Sequence, residues 1–203
     1  MMKSQGRFIL LYIIIGVNLL AGCGRKAAPQ YVIGVSQCSK DFWRDKFNKE
    51  LQMAEYLNDS IQVKLASSND DSKLQTRQIN QMIDEKVDLL VIAPNQLNTI
   101  SSAINRAYDK GIPVIIYDRK ANSNKYTAFI GCDNYAIGKS MGEFIAQKLQ
   151  GKGRVVEIRG LEGSSPALER HRGFMEAMKK CPGMQVVASE AGDWKEESGK
   201  KAM

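Results

Sequence analysis

Short apolar runs alternate with amphipathic stretches along most of this chain, from residue 31 to residue 191. The runs are too short for helices and are typical of strands buried in a parallel sheet. In the stretches between them, apolar residues such as Leu74, Ile79 and Ile83 recur at helical spacing. The predicted strands cover residues 31–36, 61–66, 87–93, 114–117, 128–131, 154–159 and 184–191. The predicted helices cover residues 41–56, 73–85, 99 or 100 to 110, 135–150 and 165–180, and a last helix begins at residue 195.

The order of these elements predicts an α/β protein with two lobes. Strict alternation of strand and helix favours parallel sheets joined by right-handed crossovers. A second series of elements begins after residues 131–134, so we assign residues 31–132 to an N-terminal lobe and residues 133–203 to a C-terminal lobe. The second lobe holds only two predicted strands, which are too few for a sheet of usual size. We therefore expect this lobe to be incomplete and the chain to be a fragment of a longer product.

Two opposite charges, Asp118 and Arg119, directly follow the predicted strand at residues 114–117. In an open parallel sheet, ligands lie outside the carboxyl ends of the strands, so both side chains are expected in that crevice. A carboxylate accepts hydrogen bonds from hydroxyl groups, and a guanidinium donates them in a fixed geometry. The pair therefore suits a ligand dense in hydroxyl groups. The alternative is an ion pair on the surface, which contributes little to stability.

The first residues have the layout of a secretory signal. A basic start precedes an apolar segment at residues 8–20, and the sequence Leu-Ala-Gly-Cys ends at Cys23. Small residues before a cysteine resemble a lipoprotein lipobox, so we predict a signal peptide at residues 1–22, acylation of Cys23 and a tether at residues 23–30. The alternative, an uncleaved anchor helix, needs roughly 20 apolar residues, more than this segment offers. We expect an exported protein that is anchored at the periplasmic face of a membrane.

Composition and motifs argue against several functional classes. The formal net charge is +7, but the basic residues are scattered along predicted helices, which argues against nucleic-acid binding. A single histidine and cysteines without ligand spacing give no metal site, and no cofactor is expected. The sequence has neither a phosphate-binding glycine loop nor a nucleophile elbow, so we expect no enzymatic activity in these residues. The sequence does not decide whether two of the three cysteines Cys38, Cys132 and Cys181 form a disulfide.

Several motifs occur in a fixed order along the chain. They are Phe42-Trp43, VIAPN at 91–95, GIPV at 111–114, Asp118-Arg119, IGCDN at 130–134 and ERHRGF at 169–174. In this order they resemble the sugar-binding type I periplasmic binding proteins, the ribose and galactose group. The resemblance implies a two-lobed fold with parallel, flavodoxin-like sheets and helices on both faces of each sheet. It also implies a binding site in the cleft between two lobes that close on the ligand.

The resemblance assigns roles to six residues. Asp118 and Arg119 match the pair that holds sugar hydroxyls, and Arg170 matches an arginine of the second lobe that donates to the sugar. The predicted ligand-binding residues are Phe42, Trp43, Asp118, Arg119, Arg170 and Trp194. Aromatic rings bury the C–H faces of a sugar while polar groups bind its edges, which is consistent with these residue types. Lys40 departs from the asparagine that ribose-type proteins often carry, so the hydroxyl pattern is expected to differ.

Each of these roles has a plainer alternative. The rings of Phe42 and Trp43 open a predicted helix and could belong to its buried face. Arg170 lies in a basic helix, where a solvated charge is the default. Trp194 follows a predicted strand, where an exposed aromatic ring is unfavourable unless it packs over another group.

A narrower resemblance concerns the stretches GVSQCSKDFWRDK, ASSNDDSKLQTRQI, APNQLNTI and YDRKANSNKYTAFIGCDN. These are similar to the sensor region of Bacteroides-type hybrid two-component systems, in which the same fold precedes a kinase. The implied function is binding of a monosaccharide as the extracytoplasmic sensing region of such a protein. The alternative is a substrate-binding lipoprotein of a sugar ABC transporter. The expected partners are a small sugar and the membrane, with a homodimer or a transporter permease as further candidates.

Overall fold

The structure is a computed structural model and describes residues 29–203. The predicted signal peptide and the acylation site Cys23 lie outside the described residues. The strands are β1 Tyr31–Gln37, β2 Ile61–Ser67, β3 Leu89–Ile92, β4 Val114–Tyr117, β5 Ala128–Ile130, β6 Lys152–Arg159 and β7 Gly183–Ala191. The helices are α1 Phe42–Tyr56, α2 Ser72–Asp84, α3 Ser101–Asp109, α4 Asn134–Lys148, α5 Ser165–Lys179 and α6 Glu196–Ala202. None of these helices is both long and apolar enough to cross a membrane.

Every predicted strand and helix is present, and their ends differ from the prediction by at most two residues. The largest differences include the start of β3, which the apolar pattern placed at Val87 and the structure places at Leu89. Asp88 explains the later start. Its carboxylate accepts a hydrogen bond from the amide of Val32 at 2.7 Å. The side chain therefore replaces the backbone carbonyl that would pair with this amide in a regular sheet.

The first lobe contains a five-stranded parallel sheet in the order β2-β1-β3-β4-β5. Successive side chains of a strand point to opposite faces. In β3, Leu90 and Ile92 pack in the core formed with α2 and α3, whereas Val91 packs beside Phe47 of α1. Helices therefore cover both faces of this sheet, as predicted. The strand order reverses between β1 and β3, and ligands of such sheets lie outside the carboxyl ends at that point.

The second lobe contains the parallel pair β6 and β7, with α4 and α5 packed closely against each other. A Cβ atom added to Gly138 of α4 would lie 2.0 Å from the carbonyl oxygen of Arg170 in α5. One added to Gly173 of α5 would lie 2.1 Å from the carbonyl oxygen of Tyr135 in α4. Because backbone atoms occupy these positions, glycine sets the distance between the two helices. The core of this lobe is formed by Ala146, Phe174, Met178 and Met184.

The two lobes contact each other beside the crossover between β5 and α4. The amide of Leu97 donates a hydrogen bond to the carbonyl of Gly163 at 2.8 Å. The amide of Lys120 donates to the hydroxyl of Ser165, the first residue of α5, at 2.6 Å. These contacts fix the loop after β4 beside the start of α5, and a cavity lies between the lobes near this point.

Candidate functional site

A cavity of about 600 Å³ lies between the lobes at the carboxyl ends of β1 and β4. Nine residues line it: Asp41, Phe42, Trp43, Arg44, Asp118, Arg119, Pro166, Arg170 and Trp194. The structure thus brings all six sequence-predicted ligand residues around one space, although they come from both lobes. Asp41, Arg44 and Pro166 complete the lining and were not predicted.

Asp118 turns out of the sheet immediately after β4. Its φ of 62° lies in the left-handed region, which is sterically costly for a residue with a Cβ. One carboxylate oxygen, Oδ2, accepts a hydrogen bond from Nη2 of Arg44 at 2.8 Å. Within residues 29–203 the other oxygen, Oδ1, accepts none, so Asp118 keeps an acceptor for a ligand.

Arg119 carries a buried charge whose bonding capacity is largely unused. The residue is only 6% exposed, yet it makes one hydrogen bond among the described residues, from Nη1 to the carbonyl of Asn95 at 3.0 Å. Its Nε lies 3.8 Å from Oδ2 of Asp118, which is an ion-pair distance rather than a hydrogen bond. A guanidinium has five N–H donors. The nitrogens of Arg119 that lack a hydrogen bond in the described residues are not fully buried, so they can donate to a ligand in the cavity that Arg119 lines.

The alternative that Phe42 and Trp43 belong to the core is wrong. They open α1, and they are 88% and 54% exposed. The ring of Trp43 is parallel to that of Phe47, with centroids 6.1 Å apart, and Phe47 in turn stacks on Tyr117 at 4.9 Å. Of these three rings only that of Trp43 lines the cavity, and its stack on Phe47 supports it there.

Asp41 holds the start of α1 in place. Its side chain accepts a hydrogen bond from the amide of Arg44 at 2.9 Å, which is the geometry of a helix cap. This cap sets the direction in which Phe42 and Trp43 project.

The second lobe contributes Arg170 and Trp194, which contact each other. The guanidinium carbon of Arg170 lies 5.5 Å from the ring centroid of Trp194, a cation–π distance. Nε of Arg170 donates to Oδ1 of Asn134 at 2.9 Å, and its terminal nitrogens are free of hydrogen bonds in the described part of the chain. A Cβ at Gly160 would lie 1.9 Å from the Trp194 ring, so glycine there is required for the ring position.

Arg44 is the residue that sequence reasoning missed most clearly. A charged residue in an exposed helix is normally assigned to the solvated face. Here it is only 3% exposed and is paired with Asp118. A signal was present, because Arg44 stands three residues before Phe47 and seven before Leu51 and therefore continues the inward stripe of α1.

Burial controls the ionisation of the groups behind the site. It raises the pKa of the Tyr117 hydroxyl well above its ordinary value, so this group stays a neutral donor, and it donates to Oε1 of Gln37. Burial also raises the pKa of the Cys38 thiol, although the positive charges of Arg119 and Arg44 oppose that effect. Cys38, Cys132 and Cys181 are all free, and no metal-binding cluster of acidic, cysteine or histidine side chains occurs between residues 29 and 203.

The chain is similar to known sugar-binding proteins. It is 29% identical over 198 residues to the galactofuranose-binding protein YtfQ of Escherichia coli strain K12, covering 95% of this chain and 62% of that protein. It is 32% identical over 143 residues to the ribose import binding protein RbsB of Bacillus subtilis strain 168, covering 70% and 46%. The chain therefore spans about half to three fifths of the length of these two relatives.

Solved structures agree with this relationship. The fructose-binding periplasmic domain of a hybrid two-component system superposes with a TM-score of 0.79 and 44% identity, covering 83% of this chain and 56% of that one. A galactofuranose-binding protein superposes with a TM-score of 0.76 and 28% identity, covering 84% and 59%. Residues 32–203 also match the family model of the periplasmic binding protein domain. The chain belongs to the periplasmic binding protein family and has the two-lobed type I fold of that family.

Proposed function

We propose that this chain binds a monosaccharide in the cavity between its lobes, as the extracytoplasmic sensing region of a hybrid two-component protein. The observation that carries the proposal is the unused bonding capacity beside β4. Oδ1 of Asp118 is an acceptor without a partner among residues 29–203, and the buried Arg119 has donors without acceptors there. A vicinal pair of sugar hydroxyls offers one proton and one lone pair to such neighbours, so a single ligand can satisfy both residues.

The rings at the cavity complete the chemistry of a sugar site. Trp43 and Phe42 line it from the first lobe and Trp194 from the second. The faces of a sugar ring are mostly C–H, and aromatic faces bury them without demanding hydrogen bonds. The terminal nitrogens of Arg170 can then donate to hydroxyls on the edge that faces the second lobe.

Names of relatives guide the choice of sugar. The solved relatives reported above bind fructose and galactofuranose, and a curated relative is named for ribose import. Fructose, galactofuranose and ribose all form five-membered rings. We propose a furanose form of a pentose or hexose as the ligand, with fructose as the first candidate.

Calorimetry tests the proposal directly. The protein is titrated with D-fructose, D-ribose, L-arabinose and D-galactose, and the expected result is saturable heat with at least one of them. Asp118→Asn keeps the size of the side chain but removes its charge, so we expect affinity to fall at least tenfold. Asp84→Asn, a surface change at the end of α2, is the matched control and should leave affinity unchanged. No heat with any of the four sugars would contradict sugar binding.

The alternative role is delivery of the sugar to an ABC transporter. Relatives named for sugar import support it. Deleting the gene distinguishes the two roles, because loss of a sensor abolishes the transcriptional response to the sugar while uptake by induced cells persists. Loss of uptake with an intact response would favour transport. In either role the described residues form a binding domain without catalysis, as in the rest of the family.

Membrane attachment is a separate proposal. Family membership implies export to the periplasm, and the Leu-Ala-Gly-Cys sequence supports acylation of Cys23. Cys23→Ser should then prevent incorporation of labelled palmitate into the protein, whereas Cys132→Ser should not. Unchanged labelling of the Cys23 variant would contradict the proposal.

A further inference from the structure

We infer that Arg44 is the positioning residue of the binding site, which holds the carboxylate of Asp118 and the ring of Trp43 in one fixed arrangement. This inference rests on the proposed function, because it concerns how the sugar site is held together. Arg44 lines the cavity, but its hydrogen bonds run to the protein rather than into the open space. Its contribution to binding therefore passes through the residues that it holds.

All three nitrogens of the Arg44 guanidinium are engaged. Nε donates to Oγ of Ser39 at 2.7 Å, and Nη1 donates to Oε1 of Gln37 at 3.3 Å. Nη2 donates to Oδ2 of Asp118 at 2.8 Å. Bonds in three directions prevent rotation of the planar group, so the position of Asp118 is defined relative to the end of β1 and the start of α1.

The hydrogen-bond partners of Arg44 are themselves held in place by further hydrogen bonds. Gln37 accepts a hydrogen bond from the Tyr117 hydroxyl and donates from Nε2 to Oδ1 of Asn48 at 2.7 Å, so its amide has one orientation. The hydroxyl of Ser39 donates to the cap residue Asp41 at 2.8 Å. The network thus connects the end of β1 with the start of α1 and the end of β4, and the last two are the places from which the first lobe lines the cavity.

Two ligand-facing groups depend on this one cation. Asp118 sits at a positive φ, a strained conformation that persists only where the surroundings impose it, and the bond from Arg44 to Oδ2 leaves Oδ1 for a ligand. The guanidinium carbon also lies 5.2 Å from the ring centroid of Trp43. An ammonium group has no planar fork and cannot occupy all of these positions at once, so lysine is expected to be a partial substitute.

The affinity test uses Arg44→Met, which keeps the length of the side chain, and Arg44→Lys, which keeps its charge. D-fructose is the probe, measured by calorimetry. We expect Arg44→Met to bind at least tenfold more weakly than the wild type and Arg44→Lys to fall between them. The matched control is Arg106→Met, which removes a surface arginine paired with Asp84 and should bind as the wild type does. Arg44→Met affinity within twofold of the wild type would overturn the inference, even if the melting temperature falls.

A double-mutant cycle separates positioning from general loss of structure. In the Asp118→Asn background, Arg44→Met should reduce affinity less than threefold, because the carboxylate that it positions is already gone. If Arg44→Met reduced affinity as much in that background as in the wild type, the inference would be overturned. If Arg44→Met does not fold, Ser39→Ala removes the bond to Nε of Arg44 together with the bond to Asp41, and it should weaken binding two- to fivefold. Unchanged affinity of this variant would count against the network.

A measurement without sugar keeps the inference testable if the proposed function fails. In a Trp194→Phe background, Trp43 is the only tryptophan of the chain. Arg44→Met should then shift its fluorescence emission, and Arg106→Met should not. In the ligand-free protein, denaturant unfolding of Arg44→Met and Asp118→Asn should also be non-additive. Additive unfolding with unchanged emission would overturn the inference whether or not any sugar binds, whereas absence of sugar binding alone would overturn only the proposed function.

Discussion

The two lobes hold their parts of the site in different ways. Asp118 and Arg119 follow β4, an interior strand of a five-stranded sheet, and they are tied to Arg44 and to the backbone of Asn95. Within residues 29–203, Arg170 of the second lobe hydrogen-bonds only to Asn134 of the same lobe, and its guanidinium lies over the half-exposed ring of Trp194. The first lobe therefore offers a rigid set of polar groups, whereas the geometry of the second depends on how α4 and α5 pack.

The hydrophobic cores of the two lobes differ as well, and the core of the first lobe is the larger. The main core of the first lobe is a cluster of twelve buried residues, whereas that of the second contains four. A large close-packed core cannot collapse into a new cavity, and a small one adjusts more easily. Truncating a buried side chain should therefore lower the free energy of unfolding more in the first lobe than in the second.

The largest expected effect is in the core of the first lobe. Leu90→Ala leaves a cavity beside α2 and α3, and we expect the free energy of unfolding to fall by about 3 kcal/mol. Met178→Ala in the second lobe should cost less, about 2 kcal/mol, because its neighbours can move into the space. Denaturant unfolding followed by circular dichroism measures both. The exposed Leu57→Ala is the control for the loss of a leucine side chain. An equal or larger cost for Met178→Ala would contradict the difference between the cores.

A smaller effect tests the spacing of α4 and α5. Gly138→Ala places a methyl group where the carbonyl oxygen of Arg170 now lies, so the helices must separate. We expect a loss of about 2 kcal/mol in unfolding free energy, as for other overpacked cores, and weaker sugar binding because Arg170 moves with α5. Gly199→Ala in α6, where a Cβ meets nothing within 4 Å, is the control and should cause neither change. Wild-type stability and affinity of Gly138→Ala would show that this spacing does not matter.

Much of this organisation could be predicted from the sequence. Apolar runs such as residues 114–117 fix the strands because a short buried run has few alternatives in an α/β chain. The position of Asp118 and Arg119 at a cavity followed from where parallel strands end. The order of the motifs along the chain, rather than any single motif, predicted that both lobes supply aromatic rings to the site.

What could not be predicted depends on contacts between distant positions. Arg44 and Asp118 are separated by 74 positions, and nothing local to Arg44 shows that a carboxylate lies opposite. The positive φ of Asp118 and the fit of Trp194 over Gly160 likewise depend on packing that a local pattern does not contain. Hydrophobic periodicity assigns charged residues to the surface, so a buried arginine is the kind of residue that it misses.

The smallest expected effect compares the aspartates that cap the first helix of each lobe. Asp41 caps α1 and Asp133 caps α4, and each accepts a hydrogen bond from the amide three residues later. Asp41 also accepts from the hydroxyl of Ser39, which in turn binds Arg44. We expect Asp41→Ala to lower the free energy of unfolding by about 1 kcal/mol and to weaken sugar binding. Asp133→Ala should cost about half as much and leave affinity within twofold of the wild type.

The pH dependence of the Asp41 effect has a defined sign. Partial burial acts to raise the pKa of this carboxyl, but the hydrogen bonds from the Arg44 amide and the Ser39 hydroxyl outweigh it and lower the pKa below its ordinary value. A pKa that is lower in the folded state stabilises the fold above the unfolded value of about 3.9, and this stabilisation is lost as the pH falls through the folded value. The difference between wild type and Asp41→Ala, measured by denaturant unfolding at pH 7 and at pH 3, should therefore shrink in acid. An equally large difference at pH 3 would mean that the ionised carboxylate is not what holds the start of α1, and with it the aromatic wall of the first lobe.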